Sequence, residues 1–334
     1  MTAPPEPNEQ PEKTGLQGLR RMAGTVLTTL APAAGLALLF TFFSLTTTGF
    51  LTRDNLITVG VQIAVVAILA IGQTFVIVAG GIDLSVGSVL ALAGMVTALL
   101  LLRGYPPAVG ITAGVAVGAL CGLVNGLLVT WARLPPFIVT LGMMGICRGA
   151  AQIPTQAQAT DVLPEAFTRL GHERLLHGFL PVPMLILLAV AVIAHFILGY
   201  TRMGRYCYAM GSNWEAARLS GVNVRAYMTL VFLICGALSG LAGVVGAARL
   251  SIGDPTAGMG YELDAIAAVV IGGASLMGGI GTIAGTMIGA FIMAILRNGC
   301  DLNNIEPYWQ AVVIGAVIVL AVLVDRIRHR GAQA

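Results

Sequence analysis

Of the chain's 334 residues, 57% are hydrophobic and 10% charged; the formal net charge is +3 and the mean hydropathy +0.89. Soluble domains carry about 25% charged residues, so the composition excludes a soluble globular fold and predicts an all-α polytopic membrane protein. Basic residues do not cluster with aromatic ones, which leaves nucleic-acid binding without support.

Taken in order, residues 1–24 form a polar tail, rich in Pro and Glu at its start, that is expected to be disordered. Lys13, Arg20 and Arg21 then precede the apolar run from Thr25 to Phe50. That run is too long for the core of a signal peptide and more spans follow, so it reads as a first span. A helix needs about 20 apolar residues to cross about 30 Å of hydrocarbon. On that rule residues 25–326 divide into ten spans, near 28–49, 56–79, 86–102, 108–130, 136–153, 182–200, 226–248, 263–279, 282–298 and 309–325, with a short tail at 327–334. Regions 56–102 and 263–298 are the hardest to divide.

Loop charge sets the orientation. With the N-terminus inside, the inner set is Lys13, Arg20, Arg21, Arg133, Arg202, Arg205, Arg218, Arg225, Arg326, Arg328 and Arg330. The outer set is Arg53, Arg103, Arg169, Arg174, Arg249 and Arg297, with Arg148 inside a span. The bias places both termini, and the polar loop over 201–225, in the cytoplasm. The longest outer loop, Pro154 to Pro181, carries both signs of charge and is a candidate docking surface for an external partner. Cys121, Cys147, Cys207, Cys235 and Cys300 contain no CxxC pair, and the four histidines are dispersed. No metal, cofactor or catalytic constellation is predicted.

The stretch from Tyr200 to Tyr227 interrupts the apolar runs. Ser212 with Glu215 three residues on has the spacing of a capping box. Ala216, Ala217, Arg218 and Leu219 favour helix, and Gly221 falls where a left-handed C-cap would sit. One short helix outside the bilayer is therefore expected. Glu215-Ala216-Ala217 followed by Gly221 resembles the EAA loop of ABC importer membrane subunits, whose short helix couples to a cytoplasmic ATPase.

A second stretch, Gly80 to Gly94, reads GGIDLSVGSVLALAG. Asp83 lies in apolar surroundings, where a carboxylate is costly and is usually functional or paired. It suits either an N-cap for the helix beginning near Leu84 or a gate or substrate residue, with Arg148 a candidate partner. Ser85 and Ser88 suit the broken backbone, and Gly80, Gly81 and Gly87 suit a helix break. GGIDLSVGS resembles the signature of ribose-, xylose- and galactose-type permease subunits. Three further stretches resemble the same family in the same order: Pro135 to Met144 with Arg148-Gly149; Gly204-Arg205-Tyr206 leading to Gly211-Ser212-Asn213; and Ile271 to Thr282, with Gly272, Gly273, Gly278 and Gly279.

The resemblance spans roughly 55–325. It implies a permease subunit importing a small sugar, a separate ABC ATPase seated on Arg205, Glu215, Ala216, Ala217 and Gly221, an external sugar-binding protein, and a second copy of the chain. No Walker A motif is present, and Lys13 is the only lysine. Asp83, Ser85 and Arg148 are the candidate pathway or gate residues. Ala113-Gly114-x3-Gly118-Ala119 recurs as Ala284-Gly285-x3-Gly289-Ala290, the pattern of an inverted repeat and equally of ordinary small-residue helix packing. The competing reading is an ion-coupled secondary transporter using Asp83 or Asp264.

Overall fold

The computed structural model describes residues 32–175, 178, 180–306, 308–317, 319, 320 and 323. The expected tails over 1–24 and 327–334, and the outer parts of the first and last expected spans, lie outside these residues. The described residues form helices α1 (Pro32–Thr46), α2 (Arg53–Val78), α3 (Val86–Leu102), α4 (Pro107–Thr130), α5 (Pro136–Gln152) and α6 (Glu165–His172). After a two-stranded hairpin, β1 (Arg174–Leu175) and β2 (Leu180–Pro181), come α7 (Val182–Tyr200), α8 (Arg202–Ser212), α9 (Trp214–Leu219) and α10 (Val224–Leu250). The last are α11 (Tyr261–Ile271), α12 (Ile283–Leu302) and α13 (Tyr308–Val317).

Among the described residues, six helices are long and apolar enough to cross a membrane: α2, α4, α5 with its short 3-10 extension, α7, α10 and α12. The expected span over 263–279 is corrected. It contains α11, which has only 11 residues, about 16 Å at 1.5 Å per residue and roughly half the hydrocarbon thickness. Gly273, with φ of 92°, stops it, and residues 272–282 run as an irregular segment before α12. Hydropathy saw a continuous apolar run; the backbone leaves the helix because glycine there takes the left-handed region.

Helices α2 and α10 are the axis of the molecule, and most of their apolar windows are buried. Helices α4, α5 and α7 are mostly unburied and turn apolar side chains such as Leu120, Ile146 and Phe196 outward. Lipid gives no hydrophobic drive for pairing these helices, so close packing must do it. Gly114, Gly118, Gly122 and Gly126 form one ridge of α4; the last three lie directly on the α10 backbone, and Gly114 meets Thr97 of α3 and the Val244 side chain of α10. A methyl at Gly118 would strike the Gly236 carbonyl, and one at Gly122 the Phe232 carbonyl. Gly285 and Gly289 of α12 meet Gly272 and Ala268 of α11 in the same way. Both copies of the small-residue motif thus serve helix packing.

The loop over 154–181, expected on the outer face, is more than a solvated loop. Phe167 of α6 is buried among Ala98, Leu101, Val244 and Ala248. Gly171 lets α6 lie against the Ala248–Arg249 backbone.

Candidate functional site

The polar stretch after α7 folds as two helices meeting at an elbow, where the sequence led us to expect one. Thr201 caps α8, its hydroxyl accepting from the Gly204 N–H at 3.5 Å. Gly204, Cys207 and Met210 face inward while Arg202 and Arg205 are exposed. Helix α8 runs through Ser212, so Ser212 is its last residue and not the cap of α9. Asn213, in extended conformation, caps α9 by accepting from the Ala216 N–H at 2.9 Å. The capping box is therefore absent.

Instead, Glu215 pairs with Arg218 one turn on, both side chains 61% exposed. The Glu215 hydrogen bond and charge hold the Arg218 guanidinium above its ordinary range. An exposed pair of this kind contributes little to stability.

The expected end of α9 is observed. Gly221 has φ of 85°. Its N–H bonds to the Arg218 carbonyl at 3.1 Å, and the Val222 N–H to the Ala217 carbonyl at 3.1 Å. These are the two bonds of a Schellman stop. Ala217 is buried against the chain's own core. Leu219, 77% exposed, and the exposed Glu215 and Ala216 form the outward face of α9. A cleft of about 770 Å³ opens beside α9, lined in part by Arg133, Arg218 and Arg225.

The elbow rests on two interruptions of the helix bundle. The first is Gly80–Ser85, between α2 and α3; the second is 272–282, between α11 and α12. Gly211 of α8 fits between them, where a Cβ would collide with the Val78 carbonyl and the Gly279 N–H group. The Gly279 N–H itself donates to the Val78 carbonyl at 2.9 Å. That bond satisfies one of the carbonyls left free at the end of α2. The Tyr208 hydroxyl donates to the Gly281 carbonyl at 2.7 Å. Sequence reading missed Tyr208; it quoted Gly211 and Asn213 only as parts of a family motif.

Of the expected helix-break glycines, Gly80, Gly273, Gly278 and Gly279 take positive φ. Gly81, Gly87 and Gly272 do not. Gly87 lies within α3 and gives room to the Gly258 carbonyl, and Gly272 is the C-cap of α11 pressed on Gly285.

Asp83 is buried at 1% exposure. Its Oδ1 accepts from the Ser85 N–H at 2.8 Å and the Ser85 hydroxyl at 2.6 Å. Ser85, not Asp83, holds the cap position of α3. The carboxylate thus closes a turn just ahead of the helix, close to the capping role and without a cation. Gln73 of α2 brackets the Asp83 backbone, its nitrogen facing the carbonyl at 3.2 Å and its oxygen the N–H at 3.1 Å. Asn125 of α4 donates to the Ser85 hydroxyl at 3.1 Å. The suggested Asp83–Arg148 pair is corrected. Arg148 donates from Nη1 to the Pro255 and Ala257 carbonyls at 3.0 and 2.8 Å, bracing the loop between α10 and α11. Arg148 Nη1 is thus engaged by backbone carbonyls, and among the described residues Arg148 makes no ion pair with Asp83.

Among the described residues no group of three or more His, Cys, Asp or Glu could hold a metal. Cys121 and Cys147, 26 residues apart, do meet, with sulfurs 3.6 Å apart.

Residues 55–322 match the model of the family described as branched-chain amino acid transport system / permease component. The chain is 44% identical over 294 residues to the ribose import permease protein RbsC of Escherichia coli K12, covering 87% of this chain and 91% of that one. It is 41% identical over 287 residues to the D-allose transport system permease protein AlsC of the same organism, covering 86% and 87%. To the xylose transport system permease protein XylH of Haemophilus influenzae it is 34% identical over 351 aligned positions, covering 87% and 94%. No solved structure matches the chain.

Proposed function

Because this chain belongs to the sugar permeases of the ABC importers and is a multi-pass protein of the inner membrane, we propose that it is the subunit through which a monosaccharide enters the cell. The energy comes from ATP hydrolysed on a separate chain, in keeping with the missing Walker A motif. The protein itself makes no covalent change to its cargo.

One observation carries the coupling: Gly211 seats the elbow by backbone contact on both bundle interruptions. A cytoplasmic ATPase moving α9 would move α8, and α8 cannot shift without displacing Val78 or Gly279. In this reading Leu219, Glu215 and Ala216, with Arg205 nearby on α8, meet the ATPase. Ala217 keys α9 to the body, and Gly221 fixes where α9 ends. The loop charges put this end in the cytoplasm with both termini.

A sugar-binding protein docks at the opposite, external end, on the surface built by α6 and the hairpin. A second copy covers the face of α5 that bears Gly142, Gly145 and Gly149, where added methyl groups would meet nothing. Sugar passes between the copies. The ion-coupled alternative gains nothing from Asp264, whose charge is balanced by Arg297 at 2.6 Å.

The test is reconstitution in liposomes with the cognate ATPase and binding protein, using radiolabelled D-ribose, D-allose and D-xylose. Uptake of at least one that requires ATP and the binding protein is the expected outcome. A cysteine at position 219 should crosslink to the ATPase. Gradient-driven uptake by the chain alone, without ATP, would overturn the proposal.

A further inference from the structure

At the end of the bundle away from the elbow, α2, α10, α11, α12 and α13 line an open cavity of about 230 Å³. Gln62, on its wall, stands 16 residues before Val78 on α2, roughly 24 Å along the helix axis from the elbow. Asp264, 2% exposed, accepts through Oδ2 from Arg297 Nη2 at 2.6 Å. The Arg297 guanidinium also sits 5.9 Å from the Tyr261 ring centre. Arg249, Asp301 and Gln310, whose amide donates to Asp301 Oδ1 at 2.7 Å, complete the polar wall, and Ile63 and Met293 are part of the apolar lining.

Two properties limit what such a cavity holds. The first is charge: two guanidinium groups face two carboxylates, so the wall is formally neutral and offers a free ion no net attraction. The second is unspent hydrogen-bonding capacity. Arg297 Nε is buried without a partner. Gln62, the Arg249 guanidinium, the Tyr261 hydroxyl and Asp264 Oδ1 likewise make no hydrogen bond within the described residues. Polar groups that can donate or accept thus share the lining with Ile63, Val66, Ala290 and Met293, a mix that suits a small ligand. A hydroxyl both donates and accepts, so adjacent hydroxyls on one ring match this wall. The volume equals about seven or eight waters at roughly 30 Å³ each, which suits one sugar ring and not two.

We propose that this cavity is a monosaccharide-binding site within a single copy of the chain. The Asp264–Arg297 pair holds neighbouring ring hydroxyls, and Gln62 and Tyr261 orient the ring. The inference rests on the sugar-permease reading but is separate from a passage between copies.

The experiment uses the purified full chain in nanodiscs, without ATPase or binding protein. Saturation-transfer difference NMR is recorded with D-ribose, D-allose, D-xylose and L-arabinose. At least one should receive saturation from the protein. Gln62→Leu and Tyr261→Phe should each weaken that sugar's binding about five-fold, the value of one neutral hydrogen bond, while eluting from a sizing column as the parent does. Equal binding by both variants overturns the site. So does a wild-type chain that binds none of the four while the complete transporter imports one, and in that case the transport reading stands. Binding that both variants lose, alongside a complete transporter that imports none, keeps the site and overturns the transport reading.

Discussion

The two interruptions beneath the elbow begin alike and then diverge. Each opens with the same glycine stop. Gly80 and Gly81 bond back to Ile77 and Val76, as Gly273 and Ala274 do to Val270 and Val269. After that, Gly80–Ser85 is tied down by side chains. Asp83, Ser85, Gln73 and Asn125 form one buried network that joins α2, α3 and α4. The 272–282 segment is held by the Ser275–Ile280 and Gly279–Val78 backbone bonds, by the Tyr208 hydroxyl on the Gly281 carbonyl and by Ser275 Oγ accepting from the Met277 N–H, with no buried carboxylate or amide network among the described residues. Met277, 79% exposed, and Ile280, 48% exposed, face outward from it. A buried polar network is costly to open, because every group in it would be left unpaired. On the coupling proposed above, the difference predicts that the first interruption acts as a fixed joint and that the second follows α8.

The most severe way to break this comparison is at the wedge both share. Gly211→Val places a branched side chain against the Val78 carbonyl and Gly279, where only backbone could yield. Overpacking of this kind costs about 1–3 kcal/mol, occasionally more, and we expect most folded protein to be lost. Fluorescence-detected size exclusion measures it. A normal monodisperse yield with normal uptake would mean that the elbow does not bear on the interruptions.

Next is the fixed joint alone. Asp83→Ala leaves the buried Ser85 N–H without its acceptor, at a cost of about 1–3 kcal/mol. Asp83→Asn keeps an acceptor oxygen. Folded protein should fall with Ala, and uptake per folded transporter should stay near wild type with Asn. Well-folded but inactive Asn protein would mean that the carboxylate charge, and not the turn, is what the site needs.

The mildest change sharpens the contrast. Tyr208→Phe removes one hydrogen bond to Gly281, worth about 1 kcal/mol. Amide exchange should quicken through 278–281 and stay unchanged through 82–85. Equal quickening in both segments would erase the distinction drawn between them.

Much of this was legible in the residues. Gly221 after a run of helix formers announced the stop of α9, and GGIDLS announced an interrupted, buried carboxylate site. The cap of α9 was misread because Ser212 and Asn213 are adjacent and both suit the role. The choice falls to Asn213 because α8 stays helical through Ser212, past Gly211 wedged under the bundle, and local sequence holds no record of that contact. The 263–279 region was misread because hydropathy counts apolar side chains and cannot register the positive φ of Gly273. The Asp264–Arg297 pair was missed because its members are 33 residues apart and Arg297 had been grouped with the outer loops; only the folded α11–α12 pair joins them.

The glycine ridge of α4 has a consequence for the surrounding bilayer. At Gly118, Gly122 and Gly126 its contact with α10 is backbone on backbone, so there no side chain can repack to let one helix slide or tilt against the other. A hydrophobic stretch meets a change in hydrocarbon thickness by tilting or by deforming the lipid. Here α4 and α10 must tilt together as one stiff plank. Changes in acyl-chain length should therefore reach this protein through the orientation of that pair as a whole, making lipid thickness a determinant of how the elbow end is presented.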